Sequence, residues 1–170
     1  HHYSSRRQRQ MCIRDRGYVT YHEDSDKFSL SPEQAAVFAR ENEPTCIQGL
    51  MQGVVGQFVK EDVAIDVFKT GRGRPWGEHH ECCFCGTERF FRPAYAGHLL
   101  DEWIPAMTGV EEKLKMGAKV ADIGCGLGTS SMLMAEQYPN STIHAFDFHE
   151  PSIEEAKKRA KEKGLSLIHI

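Results

Sequence analysis

The chain has no run of apolar residues long enough to cross a bilayer as a helix, so no helical membrane anchor is expected. It has no excess of either charge. Its 21 Lys and Arg face 24 Asp and Glu, and a net charge of −3 supplies no basic field for nucleic acid. It has no secretory apolar segment near its start, and its six cysteines are unevenly spread, so reduced thiols in a cytoplasm are the expectation. A second C-x-x-C pair is also missing. Only Cys82 and Cys85 have that spacing, whereas structural zinc sites ordinarily join two such pairs. The cluster HHECCFC at residues 79–85 is therefore read without a metal, as a cysteine-rich loop with buried, inert thiols. What remains, 40% hydrophobic and 26% charged residues over 170 positions, is the balance of a soluble globular protein with room for one ordinary domain.

Both ends depart from that balance. HHYSSRRQRQMCIRDR has almost no apolar periodicity, and LSLIHI follows a helix-ending Gly164. QRQMCIRDR and LSLIHI resemble translated sequencing-adapter read-through. Residues 1–16 and 165–170 are accordingly expected to be non-native tails on an internal segment of a longer protein, with a genuine basic tail as the alternative.

Between the tails the pattern is more regular. Residues 17–21 and 27–30 are short β-prone runs joined by HEDSD, a hairpin signal. SPEQ then sets Ser31 as an N-cap, Pro32 at the first helical position and Gln34 at the third, a capping box that opens a helix to about residue 40. A second helix carries Ile47, Leu50, Met51, Val54, Val55 and Phe58 as an apolar stripe, with Gly49, Gly53 and Gly56 on another face. The glycines imply a soft or closely packed helix, in preference to a ligand channel. TGRGRPWGEHHECCFCG at 70–86 reads as a loop, helical spacing returns at 93–103, and residues 110–116 form a short helix closed by Gly117.

The stretch from 119 onward is a strand, a glycine turn GCGLG, a helix from Thr129, a second strand over 142–146, and a helix opened by Pro151. Strand–helix–strand–helix predicts a right-handed βαβ unit and a parallel sheet. A strand that ends in glycines and feeds a helix suits a nucleotide cofactor, because bare backbone lets a ligand approach closely. Two ligands compete. A dinucleotide wants G-x-G-x-x-G and a pyrophosphate at the helix N-terminus. Here the third glycine, Gly128, comes one position early, Thr129 stands where Gly or Ala is wanted, and Asp122 would repel a diphosphate. The same acid favours a ligand that is cationic at this end.

The segment DIGCGLG, with a second strand ending in Asp147, resembles the class I S-adenosylmethionine-dependent methyltransferases. The resemblance implies S-adenosyl-L-methionine as cofactor. Asp122, Gly124, Cys125, Gly126 and Gly128 would hold its methionine portion, Asp147 its ribose, and Phe148 would flank its adenine. Upstream, the hairpin, the SPEQ helix, FKTGRGRPW and DEWIPAMTGVEEKLKMGAKVADIGCGLG together resemble a bacterial subgroup with a winged-helix module ahead of the methyltransferase domain. The implied fold class is α/β. Residues 17–69 would be a partial winged-helix module with further helices, 70–116 a loop and helical cap or linker, and 117–164 the start of a Rossmann-like sheet. A small-molecule methyl acceptor is implied, and pairing of subunits through the winged module is a further expectation. Two strands of a sheet that should have about seven bury their apolar faces poorly, so the isolated chain is expected to be marginally stable and inactive.

Other constellations stay open at this level. Arg72 and Arg74 beside Trp76 either clamp a carboxylate or anchor a loop. Tyr95 and His98 either face the substrate or form a structural pair. Cys125 has no visible paired base and reads as a packing residue. No catalytic base is assigned. A winged-helix DNA-binding regulator with a methyltransferase-like sensor domain is the alternative function, and a nicotinamide-dependent oxidoreductase is disfavoured by Thr129 and Asp122.

Overall fold

The computed structural model describes residues 11–165 and 168–169. The chain divides into two compact units, residues 1–48 and 49–170.

In the first unit, β1 (Thr20–His22) pairs antiparallel with β2 (Lys27–Ser29), Tyr21 lying opposite Phe28. Their rings sit 5.0 Å apart, and the Tyr21 hydroxyl donates to Asp26 Oδ1 at 2.7 Å, closing the turn. Helix α1 (Pro32–Phe38) opens on the expected capping box. Gln34 N–H donates to Ser31 Oγ, and Ser31 N–H donates to Gln34 Oε1. Such a cap stabilises a helix by about 1 kcal/mol. Gln34 also donates to Gly17 O at 2.6 Å, so the residue that starts the helix ties it to the foot of the hairpin.

The boundary falls at the first residue of α2 (Gln48–Val59), and the second unit continues with α3 (Glu61–Thr70), closed by left-handed Gly71. A 3₁₀ turn (Trp76–Glu78) leads into α4 (Glu81–Ala94). This helix continues through a π-helical stretch (Tyr95–Trp103) and a last α-turn (Ile104–Ala106). After α5 (Val110–Met116) come β3 (Lys119–Ile123), α6 (Thr129–Gln137), β4 (Thr142–Phe146), α7 (Glu150–Glu162) and β5 (Ile168–His169). The three strands form a parallel sheet in the order β3-β4-β5, as the strand–helix–strand reading requires. The expected non-native tails at 1–16 and 165–170 lie partly outside the described residues. Of those described, residues 11–15 are helical and Ile168–His169 pair with β4.

Two clusters hold this unit. Ile104, Leu114 and Tyr138 are buried together, with Leu99, Leu100, Val110 and Val120 packed around them. Cys125, Ala145 and Ile153 form the other, beneath the glycine turn. The alternation of β4 puts Ile143 and Ala145 inward, which is the period-2 signature of a strand with one buried face.

One expectation needs correction. Residues 81–86 are not loop: ECCFCG forms the first six residues of α4, capped by His80 Nδ1, which accepts from Cys82 N–H. Histidine is an uncommon cap, and the crowding of His and Cys hid the helix. Helix α2 is closely packed through its glycines, as expected. Its apolar stripe is the exposed face, with Met51 55% and Phe58 72% accessible, while Gly49 and Gly56 are buried. Glycines make the contact because backbone meets backbone there. A Cβ on Gly49 would stand 2.3 Å from Phe90 N, and one on Gly86 of α4 would stand 2.5 Å from Gly53 N. Neither neighbour is a side chain that can swing away.

That geometry separates two glycines of similar sequence context. Gly86→Ala forces a methyl group into backbone and should lower stability by about 1–3 kcal/mol, the ordinary cost of overpacking. A Cβ on Gly53 meets nothing within 4 Å, so Gly53→Ala should be neutral or stabilise by up to about 1 kcal/mol through helix propensity. Urea unfolding of the two variants measures the difference, and equal effects would contradict the packing described.

Candidate functional site

The site is built at the C-terminal edge of the β3-β4 pair. Five residues of glycine-rich chain must leave β3 and enter α6 within a single turn, and Gly124, Gly126 and Gly128 all do so at positive φ. The turn is held against β4 from below. Phe146 O accepts from Gly124 N–H at 2.7 Å and from Cys125 N–H at 3.0 Å. Asp147 holds it from the side, Oδ2 accepting from Gly126 N–H at 2.8 Å while Oδ1 accepts from His149 N–H at 2.8 Å. A Cβ on Gly124 or Gly126 would meet no protein atom within 4 Å, so the bare backbone borders open space.

That space is a cavity of about 250 Å³. Its floor is the turn together with Asp122, Thr129 and Ser130, and its other walls include the rings of Trp76, Phe84, Phe91 and Tyr95. Trp76 and Phe84 lie 5.3 Å apart, and Phe84 packs at a tilt against His149, 4.6 Å away at the start of α7. Ser152, buried at the cavity edge, lies 2.8 Å from His149 Nδ1 through its hydroxyl and fixes that ring.

The N-terminus of α6 has an arrangement that sequence reading missed. Its first three residues all carry hydroxyls, and each donates to a carboxylate. Ser130 and Ser131 both donate to Asp122 Oδ2, at 2.7 and 2.6 Å, and Thr129 donates to Glu88 Oε1 at 3.0 Å. Glu88 arrives from α4, is 11% exposed at its side chain, and also takes Arg159 Nη1 of α7 at 3.3 Å. Two carboxylates thus stand at the end of α6 that ordinarily attracts anions. Nothing in GTERFF marks Glu88 as a partner of a residue 41 positions later. The run TSS after the last glycine was the available clue.

Each predicted residue has a definite place. Asp122, Gly124, Cys125 and Gly126 line the cavity; Gly128 is the left-handed N-cap of α6. Asp147 binds the turn from beside it, and Phe148 is 80% exposed next to it. Tyr95 is in the cavity wall, where burial, and then the charge of Asp122, raise its phenol above the ordinary value. His98 parts company with it: the wider π-helical turn sends His98 to stack on Trp103, with Nδ1 3.1 Å from Glu102. Arg72 pairs with Asp66 and Glu78, and Arg74 donates to Gln57 Oε1 and Glu78 O, so both arginines anchor the loop before Trp76. His79 stacks on Trp76, and burial, with Arg74 nearby, lowers its pKa. Among the described residues no group of three His, Cys, Asp or Glu could hold a metal ion. None of their helices is long and apolar enough to cross a membrane.

Comparison with known proteins bears on the same region. Residues 114–170 match the family model described as a methyltransferase domain. Malonyl-[acyl-carrier protein] O-methyltransferase 2 of Coxiella burnetii is 35% identical over 49 residues, which are 29% of this chain and 20% of that protein. Among solved structures, PigF with SAH superposes with a TM-score of 0.60 at 14% identity, covering 98% of this chain and 52% of that one. An O-methyltransferase family protein from Burkholderia thailandensis gives 0.59 at 14% identity, covering 94% and 47%. The chain spans about half the length of these two structures, and its mixed α/β fold is the fold they share.

Proposed function

We propose that this chain forms the cofactor half of an S-adenosylmethionine-dependent methyltransferase acting on a small molecule. One observation carries the reading: the glycine turn is bare on its cavity side, and the helix end beside it is filled by Asp122 and Glu88. A diphosphate set there would face two carboxylates, whereas a ligand with an ammonium and a sulfonium would be attracted. Both bonds to Asp122 fall on Oδ2, which leaves Oδ1 to accept from a ligand ammonium. Each oxygen of Asp147 takes one backbone N–H and retains a lone pair for a ribose hydroxyl. Gly124 and Gly126 admit the ligand to backbone, Gly128 starts the helix, Cys125 packs below, and Phe148 offers an exposed ring to adenine. The family match over residues 114–170 and the fold shared with PigF, solved with SAH, support the same cofactor.

When bound, the cofactor supplies a methyl group on a sulfonium, an excellent leaving group. The chain's own part is to hold that end of the ligand and exclude water, and the rings of Trp76, Phe84, Phe91 and Tyr95 are placed to do so. Hairpin β1–β2, followed by capped α1, supports reading residues 17–69 as including part of a winged-helix module.

Titration calorimetry tests the cofactor. S-adenosylmethionine and S-adenosylhomocysteine should bind while NAD gives no heat. Asp122→Asn should weaken S-adenosylmethionine by about tenfold or more, the equivalent of losing one charge-assisted bond. Binding of NAD in preference to either would end the proposal.

The thiol in the turn supplies a second check. Burial, and then the charges of Asp122 and Asp147, push Cys125 up to about 11 from 9.0. The folded state therefore holds this proton more tightly than the unfolded chain does. Its contribution to stability is present below about pH 9 and is lost as pH rises towards 11. Cys125→Ala should unfold with a shallower loss of stability across that window, and Cys125 should resist iodoacetamide at pH 7.5 while exposed Cys85 reacts. Rapid alkylation of Cys125 in the folded protein would refute the assignment of a buried, neutral thiol.

A further inference from the structure

A second cavity, of about 340 Å³, lies between α2 and α4. Gly53 borders it with bare backbone, since a Cβ there would meet no atom within 4 Å, and Gly49 and Gly86 line it beside their backbone contact. Leu50, Val54 and Phe90 add apolar surface, and Trp76, Thr87 and Phe91 belong to its lining and to that of the first cavity alike. The two spaces therefore meet at a shared wall of two rings and one hydroxyl.

The walls of the second cavity hold no Asp, Glu, Lys, Arg or His. Gln57 lines it, but its amide is engaged: Oε1 accepts from Arg74 and Nε2 donates to Cys83 Sγ at 3.4 Å. Burial raises the Cys83 thiol above its ordinary value and keeps that wall uncharged. The nearby Arg74 guanidinium already donates to Gln57 Oε1 and Glu78 O, so a charged guest would give up hydration for no counter-ion on the cavity wall itself. The volume is at the lower end of the range for small-molecule sites, and ring faces on one side with bare helix backbone on the other leave a space suited to a flat guest.

Resting on the methyl-transfer reading above, we infer that this second cavity is the acceptor site, and that the acceptor is a small, uncharged, largely apolar and flat molecule. Its nucleophilic heteroatom would point across the wall formed by Trp76, Thr87 and Phe91. A lone pair on that atom forms the new bond to the methyl carbon, the carbon–sulfur pair departs to sulfur, and the acceptor's proton leaves to water. Asp122 and Glu88 lie in the first cavity only, so cofactor and acceptor are sorted by charge before they meet.

The test uses 2-naphthol and naphthalene-2-sulfonate, one ring system with and without charge, titrated into the protein beside a parallel titration with S-adenosylhomocysteine. Val54→Trp and, separately, Leu50→Trp fill the second cavity from its rim; both positions are partly exposed, so an indole is accommodated without invading a core. The expected result is saturable 2-naphthol binding, at least about tenfold weaker in both variants, with S-adenosylhomocysteine affinity unchanged and the sulfonate at least about tenfold weaker than the naphthol. If 2-naphthol does not bind, binds both variants as well as wild type, or is matched by the sulfonate, the inference is overturned while the cofactor reading stands. If S-adenosylhomocysteine fails to bind the unmodified protein, the cofactor reading falls and the acceptor role falls with it.

Discussion

Everything in the site depends on how the end of β4 holds the turn that leaves β3. Two parallel strands placed side by side bring Phe146 O beneath Gly124 and Cys125, and Asp147 beside Gly126. Three hydrogen bonds from consecutive residues fix a backbone that, being glycine-rich, has little preference of its own. The turn is consequently a rigid object made from the most pliable residues. Its open side stays bare because no side chain is present there, and its closed side is tied down because the second strand supplies the acceptors.

Charge then decides what such a turn can hold. A helix N-terminus carries partial positive charge and would by itself select an anion. In this chain three hydroxyls and two carboxylates occupy that end; Glu88 is paired with Arg159, and Asp122 is left to oppose an anion there. Glu88 has a second effect. Through Thr129 and Arg159 it links α4 to α6 and α7, and α4 carries Phe84 and Phe91 over the turn. The bonds of Glu88 therefore help to hold the aromatic roof over the turn.

Close helix packing shapes the neighbouring space. Where Gly49 and Gly86 touch, α2 and α4 approach to backbone contact, and beside that contact the bare backbone of Gly53 borders a cavity. Glycine thus serves two ends here, a close joint at Gly49 and Gly86 and an opening beside Gly53. The apolar stripe of α2, displaced from the joint, is left at the surface.

Strands β3 and β4, the capping box of α1 and the limits of α5 were legible in the sequence, because each is fixed by neighbours along the chain: alternation, an N-cap with its partner three residues on, a glycine stop. The acid before the glycines, and the acid after the second strand, were legible for the same reason. Periodicity also showed that α2 has an apolar face and a glycine face, but not which of them meets a partner. That choice belongs to α4, whose own Gly86 makes backbone contact closer than any apolar side chain allows. Glu88 beside Thr129, His98 turned away from Tyr95, and the helix hidden in ECCFCG likewise depend on what stands opposite in space. The sequence alone determined the local bends and caps, whose energies are set within a few residues; tertiary structure decided which faces and charges confront one another, because that is settled between segments far apart in the chain.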